Sequence, residues 1–360
     1  FYKLNRSKKL HTRKKGFAEE MMKQYTFAVV GALGNVGTEM RSILETSDLP
    51  IENLVLLDIA QNAGTKVKWR GEEYTVAESN ADAFSGVDIA IMSAGAGASL
   101  ELSPEAVKRG CVVIDNSTAF RMSQEHPLVI PEVNAEALEN HCGIIANPNC
   151  STIQMLVALK PIHDTYKIKR VIVSTYQAVS GSGQAAVEEL QNQTHAFANG
   201  KEMQAEVYPH QIAFNVLPHI DVFLENGYSK EEMKMILETA KILDPKIKMT
   251  ATTVRVPVAT SHSESLNIET EKAFEVEDIK TLMEASPGIE LEDDPGNNVY
   301  PLAINAAGKN AVFVGRIRRD FSTDNALNMW CVSDNLRKGA ALNTVQIAEE
   351  LVKRNLVRVP

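Results

Sequence analysis

The chain has 360 residues, and its hydrophobic content of 44% is enough to form the cores of two domains. Its formal net charge is −9, and because residues 1–23 hold eight Lys/Arg against two Glu, the rest of the chain carries −15. So acidic a body argues against nucleic acid as the main partner. No apolar stretch approaches the length of a membrane span, and the four cysteines lack paired spacing, so we expect free thiols and a cytoplasmic protein.

Residues 1–23 are a basic extension that we expect to be disordered and to lie outside the fold. A nucleic-acid-binding or targeting arm is the less favoured alternative.

A glycine-rich turn joins the first predicted strand to the first predicted helix. In TFAVVGALGNVGTEMRSIL, a β-branched run ends at Gly31, Gly34 and Gly37 follow at three-residue spacing, and a helical period begins at Met40. This variant of the dinucleotide fingerprint lets a phosphate approach the helix amides, although a purely structural turn is the alternative. Further strands at NLVLLD, VDIAIMS and CVVID predict an α/β fold, with a Rossmann-type dinucleotide-binding domain over residues 24–149.

The second part of the chain, residues 150–334, has a different pattern. Its predicted strands, IKRVIVSTYQAVSG, KMTATTVRVPV, HSESLNIETE and AVFVGRIRRD, alternate with helices such as SKEEMKMILETAKIL. This order predicts an α+β domain with a mixed sheet rather than a second nucleotide-binding unit. Residues 335–360 predict an amphipathic helix that returns to cover the first domain.

Cys150 lies where the turn ANPN gives way to an apolar helical run, STIQMLVALKPI. At a helix N-terminus the unpaired amides and the macrodipole favour a thiolate, so we expect Cys150 to be a nucleophile. A small buried residue is the alternative, and it is the better interpretation of Cys111, Cys142 and Cys331. His210 and His219 lie too far apart for metal ligation from one helix or turn and have no carboxylate cluster beside them, so no metal is expected.

Five motifs in chain order carry a resemblance to a known family. They are the glycine turn, NSTAFRM, NPNCSTIQ, STYQAVSGSG and RVPVATSHSE, and together they resemble the aspartate-semialdehyde dehydrogenases from about residue 25 onward. The resemblance implies that residues 150–334 form a catalytic and dimerisation domain, in a homodimer or homotetramer. It also implies NADP-dependent interconversion of L-4-aspartyl phosphate and L-aspartate 4-semialdehyde with inorganic phosphate, in lysine (diaminopimelate), threonine and methionine biosynthesis.

The resemblance assigns three catalytic residues. Cys150 matches the cysteine that carries the acyl group, and a thioester stays electrophilic enough to accept hydride. His262 matches an acid/base that moves a proton on and off the thiohemiacetal, although a surface-turn histidine is its alternative. Gln177 matches a glutamine that orients the substrate near the thiol.

Four further residues match substrate-binding positions of the family. Arg255 follows the strand residue Val254 and matches the arginine that clamps the substrate α-carboxylate. Arg121 matches the arginine that binds phosphate. Glu231 and Lys234 match the residues that hold the substrate amine and phosphate, and a solvated i, i+3 ion pair is an equally weighted alternative.

The expected cofactor-binding residues lie in the glycine turn, after the second strand and near the thiol: Gly31, Leu33, Gly34, Asn35, Val36, Gly37, Asp58, Gln61, Asn62, Ser180, Gly181 and Asn335. Gln61 occupies the position at which many NADP-dependent relatives have an arginine that binds the 2′-phosphate. Leu33 occupies the position at which many relatives have a threonine or serine, whose hydroxyl could contact the pyrophosphate. Asp58 is expected to accept from a ribose hydroxyl and to repel a 2′-phosphate. NADP remains the family expectation, while these residues favour NAD or dual use.

The nearest alternatives are other acyl-phosphate enzymes with a Rossmann domain and an acyl-thioester cysteine. N-acetyl-glutamyl-phosphate reductases and glyceraldehyde-3-phosphate dehydrogenases place that cysteine in settings that differ from NPNCSTIQ. A non-catalytic nucleotide-sensing protein is an alternative of another class, but both Cys150 and His262 are present.

Overall fold

The computed structural model describes residues 23–359, so the expectation of a disordered extension falls almost wholly outside the described residues. The first part is built on a parallel sheet in the order β5-β2-β1-β6-β7-β8. The strands of this sheet are β1 Tyr25–Val30, β2 Ile51–Asp58, β5 Ala77–Glu78, β6 Ile89–Met92, β7 Val112–Asp115 and β8 Ile144–Ala146. A small separate hairpin consists of β3 Lys66–Trp69 and β4 Glu72–Thr75. Apart from Thr26, the residues of the central strands β1 and β6 are buried and almost wholly apolar, because helices cover both faces.

The second part is built on a mixed sheet in the order β10-β9-β11-β14-β13-β12. The outer pairs β10–β9 and β12–β13 are parallel and the inner pairs are antiparallel. Its strands are β9 Ile168–Gln177, β10 Lys248–Arg255, β11 His262–Thr270, β12 Ile289–Leu291, β13 Val312–Arg319 and β14 Ala326–Ser333. The two sheets confirm the predicted fold class of a Rossmann-type domain beside an α+β domain with a mixed sheet.

The helices of the described residues are α1 Asn35–Thr46, α2 Gly95–Lys108, α3 Pro131–Asn134, α4 Cys150–Tyr166, α5 Gln184–Ala198, α6 Lys230–Ile242, α7 Val276–Glu284, α8 Ala303–Ala306 and α9 Leu342–Lys353. A π-helical turn, Arg337–Ala341, precedes α9. Apolar residues of α9, among them Val345, Ile347 and Leu351, share one core with Phe27 and Val29 of β1.

Helix α4 connects the two parts of the molecule. It starts directly after β8 of the parallel sheet, and its buried residues, such as Leu156 and Leu159, belong to the same core as Leu266 of the mixed sheet. Its first residue therefore lies where the carboxyl end of the parallel sheet meets the second domain, the position at which open α/β sheets bind ligands. Across residues 23–359, the helices are too short or too polar to cross a membrane.

Candidate active site

Cys150 is the first residue of α4, as predicted. The side chain of Asn149 caps this helix by accepting hydrogen bonds from the amides of Ser151 and Thr152, at 3.0 and 3.3 Å. The thiol lines a cavity of about 400 Å³ at the junction of the two domains. The predicted site residues that line this cavity are Val36, Arg121, Cys150, Gln177, Ser180, Gly181, Glu231, Lys234, Arg255 and Asn335.

The ionisation of Cys150 differs from the sequence-based expectation of a thiolate. Burial and the nearby Glu231 carboxylate raise the pKa of Cys150 to about 12, although Arg255, Arg121 and the amide of Ser151 act in the opposite direction. The expectation was wrong because it weighed only the helix terminus, whereas desolvation is the largest influence. The surroundings of the Cys150 side chain therefore favour its thiol form.

His262 is the first residue of β11 and is completely buried, so the alternative of a surface-turn histidine is wrong. Its Nδ1 accepts a hydrogen bond from the backbone amide of Ala178 at 3.0 Å, and its Nε2 is buried without a partner among the described residues. Burial and the charge of Arg255 hold the pKa of His262 well below its usual range, so the ring is neutral. Gln154, one turn after the thiol on α4, donates to the carbonyl of His262 at 3.3 Å.

Glu231 and Lys234 form an ion pair at 3.1 Å, but Glu231 is only 5% exposed. One oxygen of Glu231 accepts from the side-chain amides of Asn149 and Gln177, at 2.9 and 3.1 Å. Burial opposes its charge, yet Lys234 and these amides hold the pKa of Glu231 below its usual value. The pair is therefore part of the cavity wall, and the alternative of a solvated surface pair is wrong.

Arg121 is held by a residue that the sequence analysis missed. Its Nη1 donates to Glu238 at 3.1 Å, its Nη2 donates to the carbonyl of Asn116 at 2.8 Å, and its buried Nε has no partner in the described chain. The second oxygen of Glu238 accepts from the amide of Asn149 at 2.7 Å. Burial, with Glu231, raises the pKa of Glu238, while Arg121 and the Asn149 amide lower it. Since 231, 234 and 238 share one face of α6, helical spacing was the signal that could have identified Glu238.

Arg255 is the last residue of β10 and is 4% exposed. The strand ends there, so the expectation of a continuous strand through Val258 was wrong. Arg255 Nη1 donates to the carbonyl of Ala178 at 2.7 Å. A Cβ atom at Gly181 would lie 3.0 Å from Arg255 Nη1 and 3.3 Å from His262 Nε2. Gly181 therefore lets the backbone approach both side chains closely.

The π-helical turn closes the cavity beside the thiol. A Cβ atom at Gly339 would lie 2.9 Å from the Cβ atom of Cys150, which explains the glycine. The buried Lys338 holds this turn by donating to both oxygens of Glu132, at 2.8 and 2.7 Å. Asn335, just before the turn, accepts from the amide of Ser261 at 2.9 Å and contacts the hydroxyl of Ser180.

The glycine turn adjoins the thiol cavity. Gly31 has a φ of +77°, and a Cβ atom there would lie 2.4 Å from the carbonyl oxygen of Ser93. A Cβ atom at Gly37 would lie 2.0 Å from the carbonyl oxygen of Gly31, so Gly37 serves close helix–strand packing. Gly34 is the N-cap of α1 without a side-chain bond, which leaves helix amides free for an anion.

A second cavity, of about 560 Å³, lies over this turn and shares Ser93 with the thiol cavity. The predicted cofactor residues that line it are Gly31, Leu33, Gly34, Asp58 and Asn62; Asn35, Gly37 and Gln61 line neither cavity. Asp58 is 7% exposed, and its carboxylate accepts from the amides of Leu33 and Ile59 and from Asn62, at 2.9, 2.9 and 2.8 Å. Three acceptor positions of Asp58 are therefore used within the turn, and because the side chain also lines the cavity, its contact with a ribose stays a prediction.

The charges of this second cavity are all negative. Asp58, Glu78 and Glu101 line it, and no Lys or Arg of the described chain does. The cavity fits the shared parts of a nicotinamide dinucleotide, because the turn offers free amides to a pyrophosphate, but it presents no cation to an adenosine 2′-phosphate. Within residues 23–359, no group of three His, Cys, Asp or Glu side chains is placed to hold a metal ion.

Comparisons with known proteins agree with this geometry. The semialdehyde dehydrogenase NAD-binding domain matches residues 26–141, and the semialdehyde dehydrogenase dimerisation domain matches residues 159–338. Aspartate-semialdehyde dehydrogenases of Bacillus subtilis and Aquifex aeolicus are each 54% identical to the chain; the matches cover 92% of this chain and 98% and 99% of those proteins. The crystal structure of aspartate semialdehyde dehydrogenase II from Vibrio cholerae complexed with ASA has 44% identity and a TM-score of 0.88, with 92% and 99% coverage.

These findings support the main sequence-based interpretation and not the N-acetyl-glutamyl-phosphate reductase or nucleotide-sensing alternatives. The identity, the coverage and the match of both domains lead to one conclusion: the chain belongs to the aspartate-semialdehyde dehydrogenase family.

Proposed function

We propose that this enzyme catalyses the reversible reductive dephosphorylation of L-4-aspartyl phosphate to L-aspartate 4-semialdehyde, in the biosynthesis of lysine, threonine and methionine. The observation that carries the proposal is one cavity that holds the Cys150 thiol, two guanidinium groups and a carboxylate–ammonium pair. The substrate has a phosphate, a carboxylate, an amine and a reactive acyl carbon. The cavity offers a group of suitable charge or reactivity to each.

We assign the cationic side chains of the cavity to the two anionic groups of the substrate, the α-carboxylate and the phosphate. We assign Arg255 to the α-carboxylate, since a planar guanidinium can bind a carboxylate through two parallel bonds. Arg121 and Lys234 are assigned to the phosphate. Glu231 is assigned to the amine, because its pKa is low enough to keep the carboxylate charged in a buried place.

Cys150 is assigned as the nucleophile. Attack of its sulfur on the acyl carbon releases phosphate and leaves a thioester. A nicotinamide dinucleotide, when bound in its reduced form, supplies the hydride that reduces this thioester. Gln177, which donates to Glu231, is assigned to orient the substrate. His262 is assigned as the acid/base that moves a proton on and off the thiohemiacetal.

The cofactor is a nicotinamide dinucleotide, and we propose NADP with a preference over NAD that is weaker than in enzymes with a 2′-phosphate arginine. The glycine-turn residues Gly31 and Gly34, with the helix amides of Asn35 and Val36, would hold the pyrophosphate. Ser180, Gly181 and Asn335 are assigned to the nicotinamide side, because they line the thiol cavity.

The match to a dimerisation domain indicates an oligomer. We propose a homodimer or homotetramer assembled through residues 150–334, with residues 24–149 as the dinucleotide-binding domain and residues 335–360 as its C-terminal addition. A cytoplasmic location is proposed because the family's reaction belongs to biosynthesis and the free cysteines suit a reducing compartment.

The test is a spectrophotometric assay of cofactor reduction with L-aspartate 4-semialdehyde, run with NADP and with NAD, each with and without inorganic phosphate. We expect turnover that requires phosphate, and loss of nearly all of it in a folded Cys150→Ser variant, because a hydroxyl there is a poorer nucleophile. N-acetyl-glutamate semialdehyde serves as the competing substrate. Faster turnover of that compound, or a Cys150→Ser enzyme of near-normal activity, would contradict the proposal.

A further inference from the structure

Both cations that we assign to the phosphate already have carboxylate partners. Arg121 Nη1 donates to Glu238 at 3.1 Å, and Lys234 Nζ donates to Asp221 at 2.7 Å and to Glu231 at 3.1 Å. Any oxygen that bonds to Lys234 Nζ therefore lies within about 6 Å of the Asp221 carboxylate, because each hydrogen bond is no longer than about 3.2 Å. An anion that binds here also approaches a fixed negative charge.

Asp221 is the more accessible of the two carboxylates that hold Lys234. Its side chain is 32% exposed and lines the thiol cavity, whereas the side chain of Glu231 is 6% exposed. Asp221 Oδ1 accepts from the amide of Val222 at 2.8 Å, and Oδ2 accepts from Lys234. An ionised carboxylate has about four acceptor positions, so these contacts within the described chain leave room for another donor. Asp221 can therefore accept a hydrogen bond from a molecule in the cavity.

The backbone fixes Asp221 at the wall of the cavity. Leu217 exchanges two hydrogen bonds with Arg255 at the end of β10, at 2.9 and 2.8 Å, and the carbonyl of Val222 accepts from the amide of Lys230, the first residue of α6, at 2.9 Å. Between these anchors Asp221 has a φ of +65°, a left-handed conformation that aspartate and asparagine adopt more readily than most residues. The position of its carboxylate thus depends on two elements of the site.

The charge of Asp221 makes it an acceptor only. Burial opposes this charge, yet Lys234 and the amide of Val222 hold the pKa of Asp221 below its usual value. An ionised carboxylate cannot donate a hydrogen bond, so an oxyanion without hydrogen meets repulsion from Asp221 and gains no bond to it. An oxyanion with a hydroxyl group can donate to the same carboxylate.

We propose that Asp221 selects inorganic phosphate over oxyanions that carry no hydrogen, by accepting a hydrogen bond from a phosphate hydroxyl while Lys234 and Arg121 bind the bare oxygens. This inference rests on the proposed function, in which these two cations bind phosphate. Asp221 is then a specificity-determining residue, and the selection concerns binding alone, without a bond-forming step or a proton transfer.

Sulfate is the probe that isolates the hydrogen. It has the tetrahedral shape and the charge of hydrogen phosphate but no hydroxyl group. A site built to hydrogen-bond a hydroxyl strongly rejects an analogue that lacks it, and here a like charge adds to the rejection. The enzyme should therefore bind phosphate much more tightly than sulfate at equal ionic strength.

The first test measures aldehyde oxidation at varied phosphate, with sulfate as the competitor and the ionic strength held constant. In Asp221→Asn the ratio of the sulfate Ki to the phosphate KM should fall at least tenfold, because the asparagine amide can donate to a bare oxygen and carries no charge. A general disturbance of the cavity would weaken both anions alike and leave the ratio unchanged. A ratio within twofold of wild type in an active Asp221→Asn enzyme contradicts the proposal.

The matched control is Asp324→Asn. Asp324 is an exposed aspartate in the connection between β13 and β14, and its replacement removes the same charge from the protein. We expect the wild-type ratio in this variant. An equal fall of the ratio in both variants would mean that net charge, and not the Asp221 contact, sets the preference, and would overturn the proposal.

The second test needs no variant and no turnover. Iodoacetamide alkylates Cys150 in the wild-type enzyme without aldehyde, and the mass of the Cys150 peptide gives the rate. Phosphate should slow this reaction because it binds in the cavity that the thiol lines, and sulfate should need at least a tenfold higher concentration for the same protection. Equal protection by the two anions, or protection by neither, overturns the proposal. Wild-type turnover without phosphate would instead contradict the proposed function.

Discussion

Removing the carboxylate of Glu238 should damage both the stability of the enzyme and its use of phosphate. Glu238 is 1% exposed and accepts from Arg121 at 3.1 Å and from the amide of Asn149 at 2.7 Å. In Glu238→Ala the Arg121 guanidinium remains buried without its counter-charge, and the residue before Cys150 loses its amide acceptor. Glu238 thus supports both Arg121, which we propose binds phosphate, and the start of the helix that carries Cys150.

The expected magnitude follows from these two contacts. Breaking a buried ion pair by removing one partner costs about 3–5 kcal/mol, and an amide left unsatisfied adds about 1–3 kcal/mol before relaxation. We therefore expect the free energy of unfolding to fall by at least about 3 kcal/mol in Glu238→Ala. Glu238→Gln keeps an amide oxygen as an acceptor and should lose less.

Urea denaturation followed by circular dichroism measures the stability, and steady-state kinetics at varied phosphate measure the KM for phosphate. Glu284→Ala is the matched control, because Glu284 is an exposed helical glutamate at the end of α7. The KM for phosphate should rise about tenfold or more in Glu238→Ala, which corresponds to about 1.4 kcal/mol. If Glu238→Ala matches the control in both measurements, Glu238 does not hold Arg121 in the way described.

Three further predictions concern single substitutions. Gln61→Arg should raise the ratio of kcat/KM for NADP to that for NAD by about one to two orders of magnitude, because a charge-assisted hydrogen bond contributes about 1.5–3 kcal/mol. An unchanged ratio would place the 2′-phosphate elsewhere. Arg255→Lys should lower kcat/KM for the semialdehyde at least tenfold, roughly 1.4 kcal/mol, because one ammonium cannot bind both the Ala178 carbonyl and a carboxylate in the geometry of a guanidinium. Kinetics within twofold of wild type would contradict this. Burial raises the pKa of Glu264 well above its usual range, so its protonated form stabilises the fold at acid pH, and the free energy of unfolding falls by about 1.4 kcal/mol per pH unit as the pH rises. Glu264→Gln should flatten this pH dependence. Parallel curves of stability against pH for the wild type and the variant would contradict the prediction.

Local sequence patterns were sufficient to predict several features. The glycine turn after β1 and the position of Cys150 at the start of α4 depend on neighbouring residues, whose spacing and turn chemistry are visible in the chain. The resemblance then pointed to Arg121, Arg255, Glu231 and the other residues that the structure brings to one cavity.

Contacts between distant residues were not predictable in this way. Glu238 reaches Asn149 across 89 residues, and Ala178 reaches His262 across 84. The raised pKa of Cys150 likewise depends on burial and on Glu231 from another helix, which the sequence around the thiol does not reveal. Asp58 shows the same limit, because its carboxylate accepts from the amide of Leu33, a contact with the glycine turn that the local sequence does not reveal.

The central claim, that Cys150 carries the acyl group, is tested most directly by one pre-steady-state measurement. Enzyme, L-aspartate 4-semialdehyde and oxidised cofactor are mixed without phosphate, and the reduced cofactor is followed by stopped-flow absorbance. We predict a burst equal to the concentration of active sites, because the thioester forms and then awaits phosphate, together with a mass increase of one aspartyl group on the Cys150 peptide. A burst of the same size in Cys150→Ser, or full turnover by the wild type without phosphate, would contradict the account.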